Sequence, residues 1–235
     1  MSKEHPIIFS TPMVKAILAG RKSQTRRVIK GQLCGCGHTE PEECGNITPE
    51  GWLVAGHSGK WWCGSCLGDT FACPFGIPKD LMWVREAWSV CYNGPDAYQI
   101  IYTADGQRRD FSEALGTPAA QLDFLEHGMN QHGESGRPSI QMPRWASRLL
   151  LEVKQVRVQR LQEISEEDAL AEGVKHRVLE SSHSKDADGT LHDRMILQGS
   201  IPAFHELWDS INSGRGLGWE SNPWVFVIDF KAKPW

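Results

Sequence analysis

Between Ala19 and Lys30 the chain carries Arg21, Lys22, Thr25, Arg26 and Arg27, and no acid. The Thr25 hydroxyl stands three residues from the Lys22 amine. Two chemistries fit that set. A hydroxyl beside an amine base is an activated nucleophile. A lysine acts as a base when burial or cationic neighbours bring its pKa toward neutrality. Arg21, Arg26 and Arg27 are such neighbours, and they equally suit an oxyanion or a phosphate. The same residues therefore also read as a phosphate cradle. In a regular strand, positions 22 and 25 point to opposite faces, so the pair converges only if the chain turns or bulges after Gly20. A solvated lysine and an ordinary strand threonine are the plain alternative.

Other chemistry-bearing groups lie downstream. Residues 31–76 are rich in Gly, Cys, Pro and Trp and contain Cys34, Cys36, His38, Cys44, His57, Cys63, Cys66 and Cys73. The Cys63-x-x-Cys66 spacing is that of a zinc knuckle, and Cys34 with Cys36 supplies two more thiolates for a closed tetrahedral site. Cys44 and Cys73 are substitute ligands, and His38 and His57 weaker ones. One structural zinc there would tie down a loop with little core of its own. The alternative is a set of free thiols. No His-Glu pair accompanies the cluster, so catalytic zinc is not expected. Trp83 and Trp88 read as core or as a platform on which a nucleobase stacks. Arg85 faces a cleft or pairs with an acid. A second basic stretch runs from Arg137 through Arg144, Arg148, Lys154 and Arg157 to Arg160, with Trp145 interleaved. It suits a phosphate backbone or a solvated strand face.

The elements that must position these groups can be read from patterning. Pro6 to Phe9 is a short strand. Ser10 or Thr11 caps a helix with Pro12 in its first turn, Met13, Ile17 and Leu18 on one face, and Gly20 at its end. Gln24 to Ile29 is extended. Asp80 to Trp88 is a buried strand, with Ala97 to Thr103 as its partner. Residues 118–126 suggest a short helix within a polar stretch. Ser147 to Leu161 is a long strand with an irregularity between 153 and 156. Ser165-Glu-Glu-Asp168 opens a helix that stops near Gly173. Residues 175–200 are expected as a loop or partly disordered insertion. A helix over 202–211 and a strand over 224–230, buried on both faces, complete the chain.

Composition sets outer limits. The chain has 235 residues and a net charge of −4, which argues against a protein that coats nucleic acid non-specifically but leaves room for a local basic groove. No apolar run approaches the length of a membrane span, and the N-terminus has no apolar core of a secretory signal. A cytoplasmic protein is expected, its seven cysteines serving as thiols or metal ligands rather than disulfides. Strands spread along the whole length, with few helices between them, predict an α+β fold whose mixed sheet curls toward a barrel.

The order of segments resembles the ASCH domain, a relative of the PUA fold. The matching pieces are Ile17 to Arg27, Asp80 to Glu86, Leu161 to Gly173 and Phe226 to Lys231. The chain looks like the longer, Trp-rich members found in phages and prophages. The resemblance implies one domain over residues 1–235, a small mixed β-barrel with flanking helices. The Cys-rich stretch at about 31–76 and polar segments at about 105–136 and 175–200 would be insertions. The Ala19–Arg27 segment is also similar to the motif of the small bacterial N4-acetylcytidine amidohydrolases. That similarity implies Lys22, Thr25 and Glu172 as catalytic residues, with Arg21, Arg26, Arg27, Arg85 and Trp83 toward a nucleoside or nucleic-acid substrate. Arg26 replaces an apolar residue of that motif. Water as nucleophile, with Glu172 as base, is a variant of the same reading. The alternatives are an RNA- or DNA-binding module and a nuclease that use the same groove. Glu172 is one of five acids among residues 163–172, which leaves a solvated acidic helix face as its plain reading.

Overall fold

A computed structural model of the chain describes residues 2–29, 52–55, 60–63, 71–92, 98–110, 136–175, 177–185 and 191–233. The first half runs β1 (Glu4–Ile8), α1 (Thr11–Leu18), β2 (Gln24–Val28), β3 (Trp52–Ala55), β4 (Lys60–Cys63), β5 (Phe71–Ala72), β6 (Leu81–Arg85), β7 (Trp88–Tyr92), β8 (Tyr98–Tyr102) and β9 (Arg108–Asp110). The second half runs β10 (Leu150–Arg160), α2 (Glu166–Ala171), β11 (Arg177–Lys185), β12 (Leu191–Gln198), α3 (Ser200–Asn212) and β13 (Trp224–Lys233). The class is mixed α+β, and among the described residues no sheet closes into a barrel. No helix among them is long and apolar enough to cross a membrane.

The chain divides into two compact units. One comprises Met1–Gly20, Pro74–Lys154 and Phe230–Trp235. Here the strand order is β1-β6-β10, with β1 parallel and β10 antiparallel to β6. The α1 helix follows its end signals, but Leu18, expected on its buried face, is exposed and Met13 half-buried. Ser10 is its extended N-cap, Pro12 lies in its first turn, and Val14, Ala16 and Ile17 are buried. Gly20 ends it at φ +69°, a left-handed conformation that glycine adopts without strain. The expected continuous strand from 80 to 88 is two strands. In β6 only Met82 and Val84 are buried, so the period is two and one face is open. The 97–103 segment pairs not with β6 but with β7, Trp88 opposite Tyr102. Trp88, Val90, Ile100 and Tyr102 form a core with Met142 and Ala146.

The other unit comprises Arg21–Cys73 and Gln155–Asp229. Its strand order is β10-β13-β2, with Thr25 of β2 opposite Ile228 of β13. In β10, Leu151, Val153 and Val158 are buried while Lys154 and Gln155 are exposed, so the alternation slips where the sequence shows its irregularity. The core gathers Leu161, Ile164, Ala169, Phe204, Trp208, Val225 and Val227. Ser165 caps α2, its hydroxyl accepting the Asp168 amide at 3.1 Å, and Gly173 terminates the helix region at φ +90°. Within the Cys-rich stretch, β3, β4 and β5 pair antiparallel. Residues 177–198 contain a hairpin, β11 with β12, where a loop was expected. The sequences of its strands lack the apolar alternation that marks a half-buried strand. The Asp188-Gly189 pair between them was the available turn signal.

Candidate active site

Beyond Gly20 the backbone runs along the end of α2. Three successive residues donate to three successive carbonyls there. The Ser23 amide reaches Ala171 O at 2.9 Å, the Lys22 amine reaches Glu172 O at 2.8 Å, and the Arg21 guanidinium reaches Gly173 O at 3.1 Å. The last carbonyls of a helix have no partner within it and carry partial negative charge, so a lysine and an arginine are favoured at this end.

Lys22 is buried, and its amine also donates to Gln24 O at 2.8 Å and to Glu172 Oε2 at 2.7 Å. Together with Glu172 O, these three acceptors match the three N–H donors of an ammonium. Burial pushes the amine below the usual lysine range, against the Glu172 carboxylate, which raises it, while Arg27 and Arg26 reinforce the lowering.

The other oxygen of the carboxylate, Glu172 Oε1, lies 3.4 Å from an Arg26 Nη atom. Arg26 is buried, donates to the Gln24 side-chain oxygen, and meets Asp168 Oδ2 at 2.7 Å. Its guanidinium carbon lies 5.8 Å from the centre of the Phe204 ring on α3. Asp168 accepts further bonds from Gln24 Nε2 at 2.9 Å and from Arg157 on both oxygens, each at 2.9 Å. Burial acts to raise the Asp168 pKa, but the bonds from Gln24, Arg157 and Arg26 outweigh it and hold the carboxyl below the usual range. Gln24 and Arg157 continue to Asp229, each at 2.7 Å. Charges thus alternate from the interior outward as Lys22, Glu172, Arg26, Asp168, Arg157 and Asp229.

This arrangement brings together Lys22, Arg26 and Glu172 of the residues expected from sequence. Arg21 is exposed at the helix end. Thr25 is buried on β2, and alternation puts it on the face opposite Gln24 and Arg26, together with Arg27. Burial lowers the Arg27 pKa, and the Glu172 charge opposes that shift. Arg85 and Trp83 lie in the other unit. There the Arg85 guanidinium carbon is 5.4 Å from the centre of the Trp83 ring, and the same group donates to Met142 O at 3.0 Å and to Ile140 O.

The second basic stretch is engaged inside the protein. Arg137 lies over Trp88, Arg144 meets Glu4, Arg148 meets Glu86 and Asp105, Lys154 meets Glu152, and Arg160 meets Asn222 O. Of the zinc candidates, Cys34, Cys36, Cys44 and Cys66 lie outside the described residues. Cys63 is the last residue of β4, its side chain outside the description, and Cys73 is buried. Among the described residues no group of three or more His, Cys, Asp and Glu side chains could hold a metal ion.

Sequence reasoning missed Gln24, Asp168, Arg157 and Asp229 as members of the site. A signal existed for two of them. Gln24 and Arg26 are two apart on a strand, and Asp168 and Glu172 four apart at a helix, so each pair shares a face. Comparison of the chain with protein-family models, curated proteins and solved structures gives no match.

Proposed function

We propose that the protein is an amidohydrolase of the ASCH type, on a PUA-like fold, that cleaves an acylated amine of a nucleobase or nucleoside such as N4-acetylcytidine. The observation that carries this reading is the buried contact of 2.7 Å between the Lys22 amine and the Glu172 carboxylate. A cation and a carboxylate removed from water can move a proton and steady a developing negative charge.

In the proposed reaction the Glu172 carboxylate takes a proton from water as the water oxygen bonds to the acyl carbon. The Lys22 ammonium and the Arg27 guanidinium stabilise the oxyanion. Collapse breaks the C–N bond, and the proton on Glu172 passes to the leaving amine, giving a carboxylic acid and the free amine. The Lys22 amine donates to Gln24 O, Glu172 O and Glu172 Oε2, which uses its three N–H donors, so the attack is assigned to water rather than to Thr25. A structural zinc on Cys34, Cys36, Cys63 and Cys66 belongs to the same reading. Metal analysis after dialysis should return one zinc per chain.

The test is steady-state hydrolysis of N4-acetylcytidine by wild type, Lys22→Ala, Glu172→Gln and Thr25→Ala. Turnover lost in the first two variants and kept in the third supports the scheme. Loss in Thr25→Ala as well restores the threonine nucleophile.

A second reading is favoured by the three bonds to the end of α2. Lys22 would then be a clamp that docks the helix, with no chemistry. Under it, folded wild type leaves the substrate intact while Lys22→Ala lowers the melting temperature. Nucleic-acid binding through Lys22, Arg26 and Arg27 is less well supported, because Arg26 is enclosed by Asp168, Gln24 and Glu172.

A further inference from the structure

The Arg26 side chain touches no candidate nucleophile, yet it is buried among acids on both sides. A guanidinium has five N–H donors fixed in one plane. Here one edge is committed to Asp168 at 2.7 Å and to the Gln24 oxygen, and the same group lies 3.4 Å from Glu172 Oε1. Asp168 is in turn held by Arg157 and Gln24, so the orientation of the guanidinium is fixed from outside the buried pair.

We propose that Arg26 and Asp168 are positioning residues for Glu172: Asp168 orients the guanidinium, and the guanidinium holds the carboxylate against the Lys22 amine. The functional meaning of this rests on Glu172 being the proton acceptor of the proposed reaction. The geometry itself does not. The charged groups that face this carboxylate or its holders are Lys22, Arg26 and Arg27 from β2 and its lead-in, Asp168 from α2, Arg157 from β10 and Asp229 from β13. The α3 helix presents the Phe204 ring to Arg26.

This explains the departure from the apolar residue expected at position 26. An apolar side chain would leave Glu172 with Lys22 as its close cation. Arg26 adds a second, and a buried cation needs its own counter-charge, which Asp168 supplies. Lysine at 26 could not replace it, because a point-like ammonium lacks the fork needed to reach Asp168, Gln24 and Glu172 together.

The experiment is carbon-detected NMR of glutamate carboxyl groups at one fixed pH, with Glu172→Gln identifying the Glu172 resonance. Arg26→Met, Asp168→Asn and Asp168→Glu are compared with wild type, and amide hydrogen exchange checks the fold. The Glu172 carboxyl resonance is expected to shift in Arg26→Met and Asp168→Asn, because the carboxylate loses its fixed guanidinium contact. In Asp168→Glu it should stay near its wild-type position. An unmoved resonance in folded Arg26→Met and Asp168→Asn overturns the proposal. If Arg26→Met does not fold, Asp168→Asn decides alone, since Asp168 is partly exposed. The measurement needs no substrate. A moved resonance beside a wild type that leaves N4-acetylcytidine intact keeps the positioning and removes the amidohydrolase reading. An unmoved resonance beside an active wild type does the reverse.

Discussion

Among the described residues each unit of the molecule buries one glutamate against an arginine, and the two are held differently. Glu86 is held fork to fork. Arg148 donates to both of its oxygens at 2.9 Å and continues to Asp105 at 2.8 Å. Burial alone would lower the Arg148 pKa, but its bonds to Glu86 and Asp105 raise it. That is a closed pair, with both carboxylate oxygens accepting from one planar guanidinium. Glu172 is held by an amine on one oxygen at 2.7 Å and by a guanidinium at 3.4 Å from the other. A long contact leaves the second oxygen with accepting capacity. Burial of a charged pair is common to both units, and the contacts are symmetric at Glu86 and asymmetric at Glu172; under the proposed reaction that asymmetry is what leaves Glu172 able to act.

The sharpest way to break this comparison is to remove each charge in turn. Glu172→Gln should lower turnover by about 10²–10⁴-fold, the usual worth of a positioned acid–base group. Glu86→Gln should leave turnover per folded molecule unchanged. Its cost appears in stability, at about 1–3 kcal/mol, because Arg148 loses two charge-assisted hydrogen bonds while Asp105 still faces it. Hydrolysis assays and urea unfolding of both variants check this. Equal loss of activity in the two would end the distinction.

The sequence made one half of this contrast visible and hid the other. The Ser10, Pro12 and Gly20 signals located α1, and the Ser165 cap located α2, so the two segments that carry Lys22 and Glu172 were legible. That they meet was implied only by resemblance, since no local pattern links residues so far apart. Glu86 appeared only as the end of a matching segment, and Arg148 was read as part of a basic stretch suited to phosphate or solvent. Charge runs are ambiguous because a strand's partners come from other strands, and here Glu4, Glu86, Asp105, Glu152 and Asp168 pair with four of the six cations of that stretch. The β11–β12 hairpin stayed hidden because its two strand sequences carry no period of two in their apolar residues.

Lys22→Met sharpens the comparison from the other side of the ion pair. It removes the 2.7 Å partner of the buried Glu172 carboxylate, and should cost about 3–5 kcal/mol in denaturant unfolding. The pH dependence has a fixed sign at each end. Asp168 and Asp105 both have folded pKa values below the ordinary aspartate range, burial being outweighed by their hydrogen bonds. Their contribution is complete above about pH 4 and is lost as the pH falls through the lower folded values. Asp168→Asn should therefore flatten the acid side of the stability curve. Lys22 runs the other way. Its folded pKa lies below the unfolded one, so the unfolded chain binds more protons between the two values. Stability gained from this group rises with pH across that window, toward about pH 10. Lys22→Met should remove that rise.

The smallest expected effect falls on Arg21, the exposed cation of the motif, whose bond to Gly173 O is solvent-facing. Arg21→Ala should change stability by about 0–1 kcal/mol and leave hydrolysis unaltered. The same variant also tests the rival use of this region. A groove that binds RNA or DNA through phosphates loses affinity as salt rises, and removing one phosphate contact reduces the slope of log affinity against log salt by about one. A measurable slope in wild type that becomes shallower in Arg21→Ala would shift weight toward nucleic-acid binding. The absence of any salt-dependent affinity would leave the buried Lys22–Glu172 pair as the part of the motif with chemistry to do.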